Sequence, residues 1–262
     1  MSKVRLDALL TQRGLFPSRS RAAASVMAGQ VRLGSDRRRA QKPGQLVPAD
    51  VPVQLQEAPR YVSRGGLKLA NALAASGIGV AGRRCLDVGA STGGFTDCLL
   101  QHGAAHVVAV DVAYGELHWR LRQDARVTVR ERLNARRLEP AALPYRPDLM
   151  VIDLSFISLA KVLPAVLGCA APRHDCLALC KPQFEVGRGK VGGGGVVRDP
   201  ADRREALLSV AACARRLDAS VLGFVASGLP GPKGNVETFL WLGEPGRAGP
   251  QDLEAAAREA DP

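Results

Sequence analysis

Asp87-Val88-Gly89-Ala90-Ser91-Thr92-Gly93-Gly94-Phe95-Thr96 grows out of the strand-like run Cys85-Leu86-Asp87-Val88 and opens a helix-like stretch over 94–102. Glycines at such a junction let the backbone approach a ligand closely. The carboxyl end of a strand is where open α/β sheets bind their ligands. No Gly-Lys-Ser/Thr closes the loop, so it is not a phosphate loop of the Walker type. Its spacing also departs from the strict GxGxxG of dinucleotide enzymes. Downstream, Val108-Ala109-Val110-Asp111 ends the next strand with an acid suited to ribose hydroxyls. Loop and acid together fit S-adenosylmethionine as well as a nucleotide cofactor. A tight strand–helix turn without a ligand is the structural alternative.

Outward from this loop the chain alternates strand and helix. Strand-like runs lie at 85–88, 106–111, 127–130, 149–153, 176–180, 221–225 and 238–242, and helix-like runs near 65–76, 94–102, 158–168 and 200–216. This alternation predicts an α/β fold: a Rossmann-like open sheet, largely parallel, with helices on both faces. Only a Gly/Pro-rich link joins the last two strands, which predicts an antiparallel pair at the sheet edge. We read 60–245 as this domain and 246–262, rich in Ala, Glu, Arg and Pro, as a frayed, flexible tail.

Residues 1–59 read as a separate small α+β module. Leu6, Leu9 and Leu10 share one face of a helix over 4–13, with Gly14 as its stop. Ser18 is a candidate N-cap for a second helix running to Gly29. Short strands at 30–33 and 51–55 follow, and Ala58-Pro59-Arg60 reads as the linker. The net charge is unevenly placed. The whole chain of 262 residues carries +11, and residues 1–60, with 11 Lys+Arg against 4 Asp+Glu, hold +7 of it. A compact basic module is an electrostatic footprint for polyanions, nucleic acid first. Arg5, Arg19, Arg21, Arg37, Arg38, Arg39 and Arg64 are the candidate RNA-phosphate contacts; a merely solubilising surface is the bland reading.

Several classes are disfavoured. No run of roughly 18 uncharged apolar residues exists to cross a membrane. Charges fill Lys3 to Asp7, where a cleaved export signal needs its apolar segment. The six cysteines show no CxxC or zinc-like spacing, so no metal site is expected and a reducing, cytoplasmic compartment is.

Four charged groups stand at strand ends or in loops: Lys68 in Ser63-Arg64-Gly65-Gly66-Leu67-Lys68, Asp153 in Val151-Ile152-Asp153-Leu154-Ser155-Phe156, Lys181 in Cys180-Lys181-Pro182-Gln183-Phe184-Glu185, and Glu237 in Gly234-Asn235-Val236-Glu237. Each alone could be a surface charge. Around one rim of a sheet they would be costly unless paired, and clustered charges are what acid–base chemistry requires. The chain has 29 Arg and only 7 Lys, so a lysine kept in such a motif has a reason to be lysine: Arg does not readily lose its proton.

With these strings in view, residues 60–242 resemble the FtsJ-type RNA ribose 2′-O-methyltransferases. The whole chain resembles their haemolysin A (TlyA-type) branch, which adds an N-terminal S4-type RNA-binding domain. Leu6-Asp7 with Ser18-Arg19-Ser20-Arg21-Ala22 carries the likeness at the N-terminus. The resemblance implies a Lys-Asp-Lys-Glu catalytic tetrad, here Lys68, Asp153, Lys181 and Glu237. It also implies methylation of cytidine ribose 2′-hydroxyls in ribosomal RNA, some members acting on small-subunit RNA alone and others on both subunits. One departure bears on substrate range: the family's N-terminal region often continues before the first helix, whereas here Val4 enters it almost at once.

On this reading S-adenosylmethionine is the cofactor. Asp87, Gly89, Ser91, Gly93, Phe95 and Asp111 are its candidate contacts, and Asn134 a further one at the adenine edge. Lys181 is the candidate base, with Lys68 as a neighbouring cation and Asp153 and Glu237 orienting the lysines. The leaving group is a neutral thioether, so the chemistry requires no metal. The glycine-rich segment Val186 to Gly195 is expected to form a mobile cover over the substrate. The expected partners are ribosomal RNA or ribosomal subunits, with no membrane, and the chain is expected to act as a monomer. The competing readings are a catalytically silent RNA-binding ribosome-assembly factor, a pseudouridine-synthase-like RNA enzyme and a membrane-lytic protein.

Overall fold

The computed structural model describes residues 3–56 and 59–261, with the backbone alone at Arg188. Of the expected linker, Ala58 lies outside the described residues. The chain divides into two compact units, Met1–Pro59 and Arg60–Pro262.

In the first unit, β1 (Lys3–Arg5) runs into α1 (Leu6–Gln12), followed by α2 (Arg19–Met27), β2 (Val31–Leu33), β3 (Arg38–Arg39), β4 (Leu46–Pro48) and β5 (Val53–Leu55). β1 pairs antiparallel with β4, and β2 lies between β3 and β5. Val4 is therefore a strand residue opposite Val47, not the first helical one. The strand pairing takes up its backbone polar groups, and the helix begins at Leu6. Leu6, Leu9, Leu10, Ala22, Val26, Val31 and Val47 form the core. Ser18 caps α2 by accepting the Arg21 N–H at 3.2 Å, a contact of the kind that contributes about 1 kcal/mol.

The second unit is built on seven strands: β6 (Arg84–Val88), β7 (His106–Val110), β8 (Val127–Arg130), β9 (Leu149–Ile152), β10 (Asp175–Cys180), β11 (Ser220–Ala226) and β12 (Thr238–Gly243). Their order is β11-β12-β10-β9-β6-β7-β8, parallel throughout except β12, which is antiparallel to both its neighbours. Alternate residues feed two cores. Leu86, Val88, Met150 and Ile152 pack on one face with Leu163, Val166 and Ala206. Cys85, Leu149 and Val151 pack on the other with Leu69, Leu73, Phe95 and Leu99. This is the period-2 signature of a sheet covered on both faces. The covering helices are α3 (Gly65–Ser76), α4 (Gly94–Gln101) and α5 (Trp119–Arg122) on the second face, with α6 (Leu163–Gly168), α8 (Pro200–Arg216) and α9 (Leu253–Ala260) on the first. A short α7 (Pro182–Glu185) follows β10. Strand order reverses between β6 and β9. That switch point opens a crevice at the carboxyl ends of the strands.

The expectation of a frayed tail is overturned. Asp252 caps α9 through the Ala255 N–H, Ala257 is buried, and Asp261 receives three hydrogen bonds from the buried Arg203 guanidinium at 2.6–3.0 Å. An ion pair buried on α8 outweighs the weak local composition signal. Pro262 lies outside the described residues. All six cysteines are buried and free of disulfides. Burial pushes the Cys85, Cys98 and Cys176 thiols up to about 12, which makes them packing groups rather than nucleophiles.

Candidate active site

The loop after β6 is shaped by glycines that nothing else can replace. Gly89 has φ +88°, and a Cβ there would collide with the Asp153 carbonyl oxygen; Gly93 has φ +95°, and a Cβ would strike Leu121. Between them Ser91 adopts φ +45°, a left-handed conformation unusual for a side-chain-bearing residue. It is held by Asp111 at the end of β7. One Asp111 oxygen accepts the Ser91 N–H at 2.7 Å and the other accepts the Ala113 N–H at 2.8 Å. The Ser91 hydroxyl donates to Glu116 at 3.1 Å, a partner that no motif in the sequence marks.

Asp87 lies apart from the other candidate contacts. It is wholly buried, lines neither cavity beside the loop, and accepts the Thr96 hydroxyl at 2.6 Å at the start of α4. Burial, the dominant cause, raises its carboxyl to about 7. Through Thr96 it supports the loop from beneath, while its other oxygen, Oδ1, is buried with no hydrogen-bond partner among the described residues.

Two cavities meet at Gly89. One, of about 420 Å³, is lined by Gly89, Ser91, Gly94, Phe95, Arg64, Lys68, Asp153 and Lys181. Phe95 forms part of its wall and leans on Phe239 at a 5.8 Å ring separation. The other is a narrower slot of about 180 Å³ between Asp111, Val112, Leu133, Asn134, Leu154 and Ile157. Asn134 spends its side-chain oxygen on the Arg136 N–H, capping a 3₁₀ turn over Ala135–Arg137.

The four charged residues form two ion pairs. Lys68 on α3 pairs with Glu237 at the mouth of β12, and both are buried. Lys181, where Pro182 turns the chain out of β10 into α7, lies 2.6 Å from Asp153 and donates to the Ser155 hydroxyl at 3.1 Å. Its charge is thus compensated by Asp153, and the expected cation, Lys68, is itself neutralised by Glu237. A third cavity, about 360 Å³, is lined by Lys181, Glu237, Phe156, Phe184, Gln183 and Asn235. Lys181 therefore stands on the partition between the glycine-loop cavity and this aromatic one. Phe156 has φ +67° and is 91% exposed, and its ring lies 5.3 Å from that of Phe184. Among the described residues, Glu237 Oε1 and Gln183 Oε1 are buried with no hydrogen-bond partner. Both phenylalanines belong to the quoted motifs, but only their place on this cavity, Phe156 exposed and Phe184 half-buried, gives them a role.

The candidate RNA-binding arginines are less uniform. Arg5 and Arg19 both reach Asp7, at 2.8 and 3.3 Å, and the Arg5 guanidinium chiefly holds the Asp7 carboxyl down to about 2. Arg21, Arg37, Arg38 and Arg39 are exposed, with Arg38 3.1 Å from Asp36. Arg64 belongs to the second unit, lines the 420 Å³ cavity and donates to the Pro230 carbonyl at 2.9 Å. The segment expected as a mobile cover is partly tied down. Lys190 pairs with Asp202 and Glu205, and Gly192 bridges Val196.

Residues 61–244 match the family profile described as FtsJ-like methyltransferase. The chain is 55% identical over 242 residues to the 16S/23S rRNA (cytidine-2′-O)-methyltransferase TlyA of Mycobacterium tuberculosis, a match spanning 92% of this chain and 90% of that protein. It is 34% identical over 182 residues, 69% of this chain and 70% of the other, to the 23S rRNA (cytidine-2′-O)-methyltransferase TlyA of Campylobacter jejuni. The name of that relative gives 23S rRNA as its substrate. Among solved structures, a candidate hemolysin from Streptococcus thermophilus superposes with a TM-score of 0.74 at 40% identity, covering 99% of this chain and 96% of that one. Among the described residues no helix is long and apolar enough to cross a membrane.

Proposed function

Since this chain belongs to the FtsJ-like methyltransferase family, we propose that it transfers a methyl group from S-adenosylmethionine to cytidine ribose 2′-hydroxyls of ribosomal RNA. The observation that carries this reading is the position of Lys181, paired with Asp153 and shared by two cavities. One cavity is built for a cofactor. Gly89 lines both cavities, Gly93 gives the loop its tight turn against Leu121 without lining either, the Asp111 carboxylate stands at a strand end, and the apolar slot beside Asn134 suits a flat base. The aromatic cavity, with Phe156 and Phe184, suits the target nucleoside.

When bound, S-adenosylmethionine supplies an electrophilic methyl group. The chain's own task is alignment and proton removal. Gly89, Ser91 and Asp111 would hold the cofactor, which would give up its methyl group and leave as a neutral thioether; Lys181, once its own proton has passed to solvent, would take the 2′-hydroxyl proton. Asp153 and Ser155 fix the direction of the Lys181 amine, and the Lys68–Glu237 pair braces the opposite wall. Most of the rate gain comes from holding the hydroxyl in line with the methyl group. We assign residues 1–59 as an S4-type RNA-binding module, the chain as a monomer acting on ribosomal subunits in the cytoplasm, and the exposed arginines to phosphate contacts. Incubating the protein with radiolabelled cofactor and ribosomal subunits, then mapping 2′-O-methylcytidines, tests the reading. Cofactor binding without transfer to any ribosomal RNA would favour the silent assembly factor instead.

A further inference from the structure

Four consecutive glycines, Gly192 to Gly195, follow Lys190 and Val191 on the edge of the aromatic cavity. A run of this kind has the highest conformational entropy of any sequence and does not order itself. Yet it forms a closed turn: Gly192 donates to Val196 O and Gly195 donates to Gly192 O, both at 3.0 Å. The buried side chain of Asn235 supplies the external hold. Its Nδ2 donates to Gly195 O at 2.8 Å, and its Oδ1 accepts the Val197 N–H at 2.9 Å. A carbonyl and the N–H two residues on are the pair that a neighbouring strand would engage, so the amide stands in for a missing strand. The other anchor, Lys190 with Asp202 and Glu205, is part-exposed and weakened by salt. Two residues beyond Asn235 lies Glu237, the partner of Lys68. One short segment therefore holds both the charged cluster and the adjoining wall.

We propose that Asn235 is a positioning residue whose side-chain amide pins the glycine turn as one wall of the substrate cavity, an inference that rests on assigning that cavity to the target nucleoside. Two lost hydrogen bonds correspond to about tenfold in the population of the ordered wall. Asn235→Ala in the full chain should raise KM for RNA by about tenfold while kcat and the cofactor Kd change little, and should speed tryptic cleavage after Lys190 by about tenfold. Asn235→Asp, which keeps the acceptor for Val197 but loses the donor, should fall between. Val197→Pro removes the same N–H from the turn's side and should reproduce the faster cleavage. The proposal is overturned if a folded Asn235→Ala chain keeps its KM and cleavage rate, or loses kcat at constant KM. It is also overturned if both Asn235 variants lose cofactor binding and cooperative melting while Val197→Pro cleaves at the wild-type rate. Cleavage needs no methyl transfer, so an inactive wild-type chain would sink the activity reading and still leave the clip tested.

Discussion

Lys68 and Glu237 meet as a buried ion pair across 169 residues of chain. The pair joins the helix that precedes the sheet to the strand that completes it. Removing one partner strands the other charge out of water, at a cost of about 3–5 kcal/mol, whereas removing both together can be nearly neutral. Lys68→Met should therefore lower stability sharply, and Lys68→Met with Glu237→Gln should recover much of it without restoring methyl transfer. Denaturant unfolding of single and double variants checks the first part. Full activity in the stable double variant would remove the pair from the reaction.

Lys181→Arg should keep the positive charge beside Asp153 and leave cofactor binding intact, yet abolish transfer, because a guanidinium does not give up its proton near neutral pH. Single-turnover transfer measured beside calorimetric cofactor binding decides this. Transfer within about tenfold of wild type, a loss of about 1.4 kcal/mol of transition-state stabilisation, would take the base role from Lys181.

Asp111 uses both oxygens on loop amides, at Ser91 and Ala113, so it shapes the turn as well as offering lone pairs to a ribose. Asp111→Ala should lower the melting temperature and weaken cofactor affinity by about ten- to hundred-fold, as loss of a charged acceptor contributes roughly 1.5–3 kcal/mol. A folded variant with unchanged cofactor affinity would confine Asp111 to the turn.

Asp87 carries the pH dependence. Burial raises its folded-state pKa from 3.8 to about 7, so the folded chain binds this proton more tightly than the unfolded one. The resulting stability is present in full below about 3.8 and is lost as pH rises to about 7. Relative to Asp87→Asn, the wild type should lose melting temperature across that window and level off above it. A difference between the two that is independent of pH would contradict this assignment.

Deleting residues 1–59 should leave cofactor binding unchanged, because the second unit has its own sheet and cores. RNA affinity should drop, and the drop should shrink as salt rises, since phosphate contacts draw on counterion release. Salt titrations of both chains give the slopes. Equal slopes would refute the division of labour between the units.

The second unit was largely legible in the amino-acid order because its cues are local. Strands covered on both faces read as short apolar runs, and the glycines of 89–94 mark a backbone that no side-chain-bearing residue can follow. The four charged residues were legible as candidates for the same reason, each closing a recognisable string, Asp153, Lys181 and Glu237 at strand ends and Lys68 in the first turn of α3. The N-terminal strands were less so. β1, β3 and β4 have two or three residues each, too few for periodicity to show, and Val4 carries no mark that it will face Val47.

Which charges pair was decided only in three dimensions. β12 inserts antiparallel between β10 and β11, and that placement brings Glu237 to Lys68 while Lys181, at the end of β10, meets Asp153 beyond β9. The same holds for Asp87, which reads as a ligand contact in sequence but is sealed beneath the loop. It holds too for the tail, which composition marks as loose and Arg203 binds down through Asp261. Local pattern determines which elements form and which residues stand at their ends. Burial, charge pairing and the hold of Asn235 on the glycine turn depend on long-range neighbours, and those exist only once the strands have taken their order in the sheet.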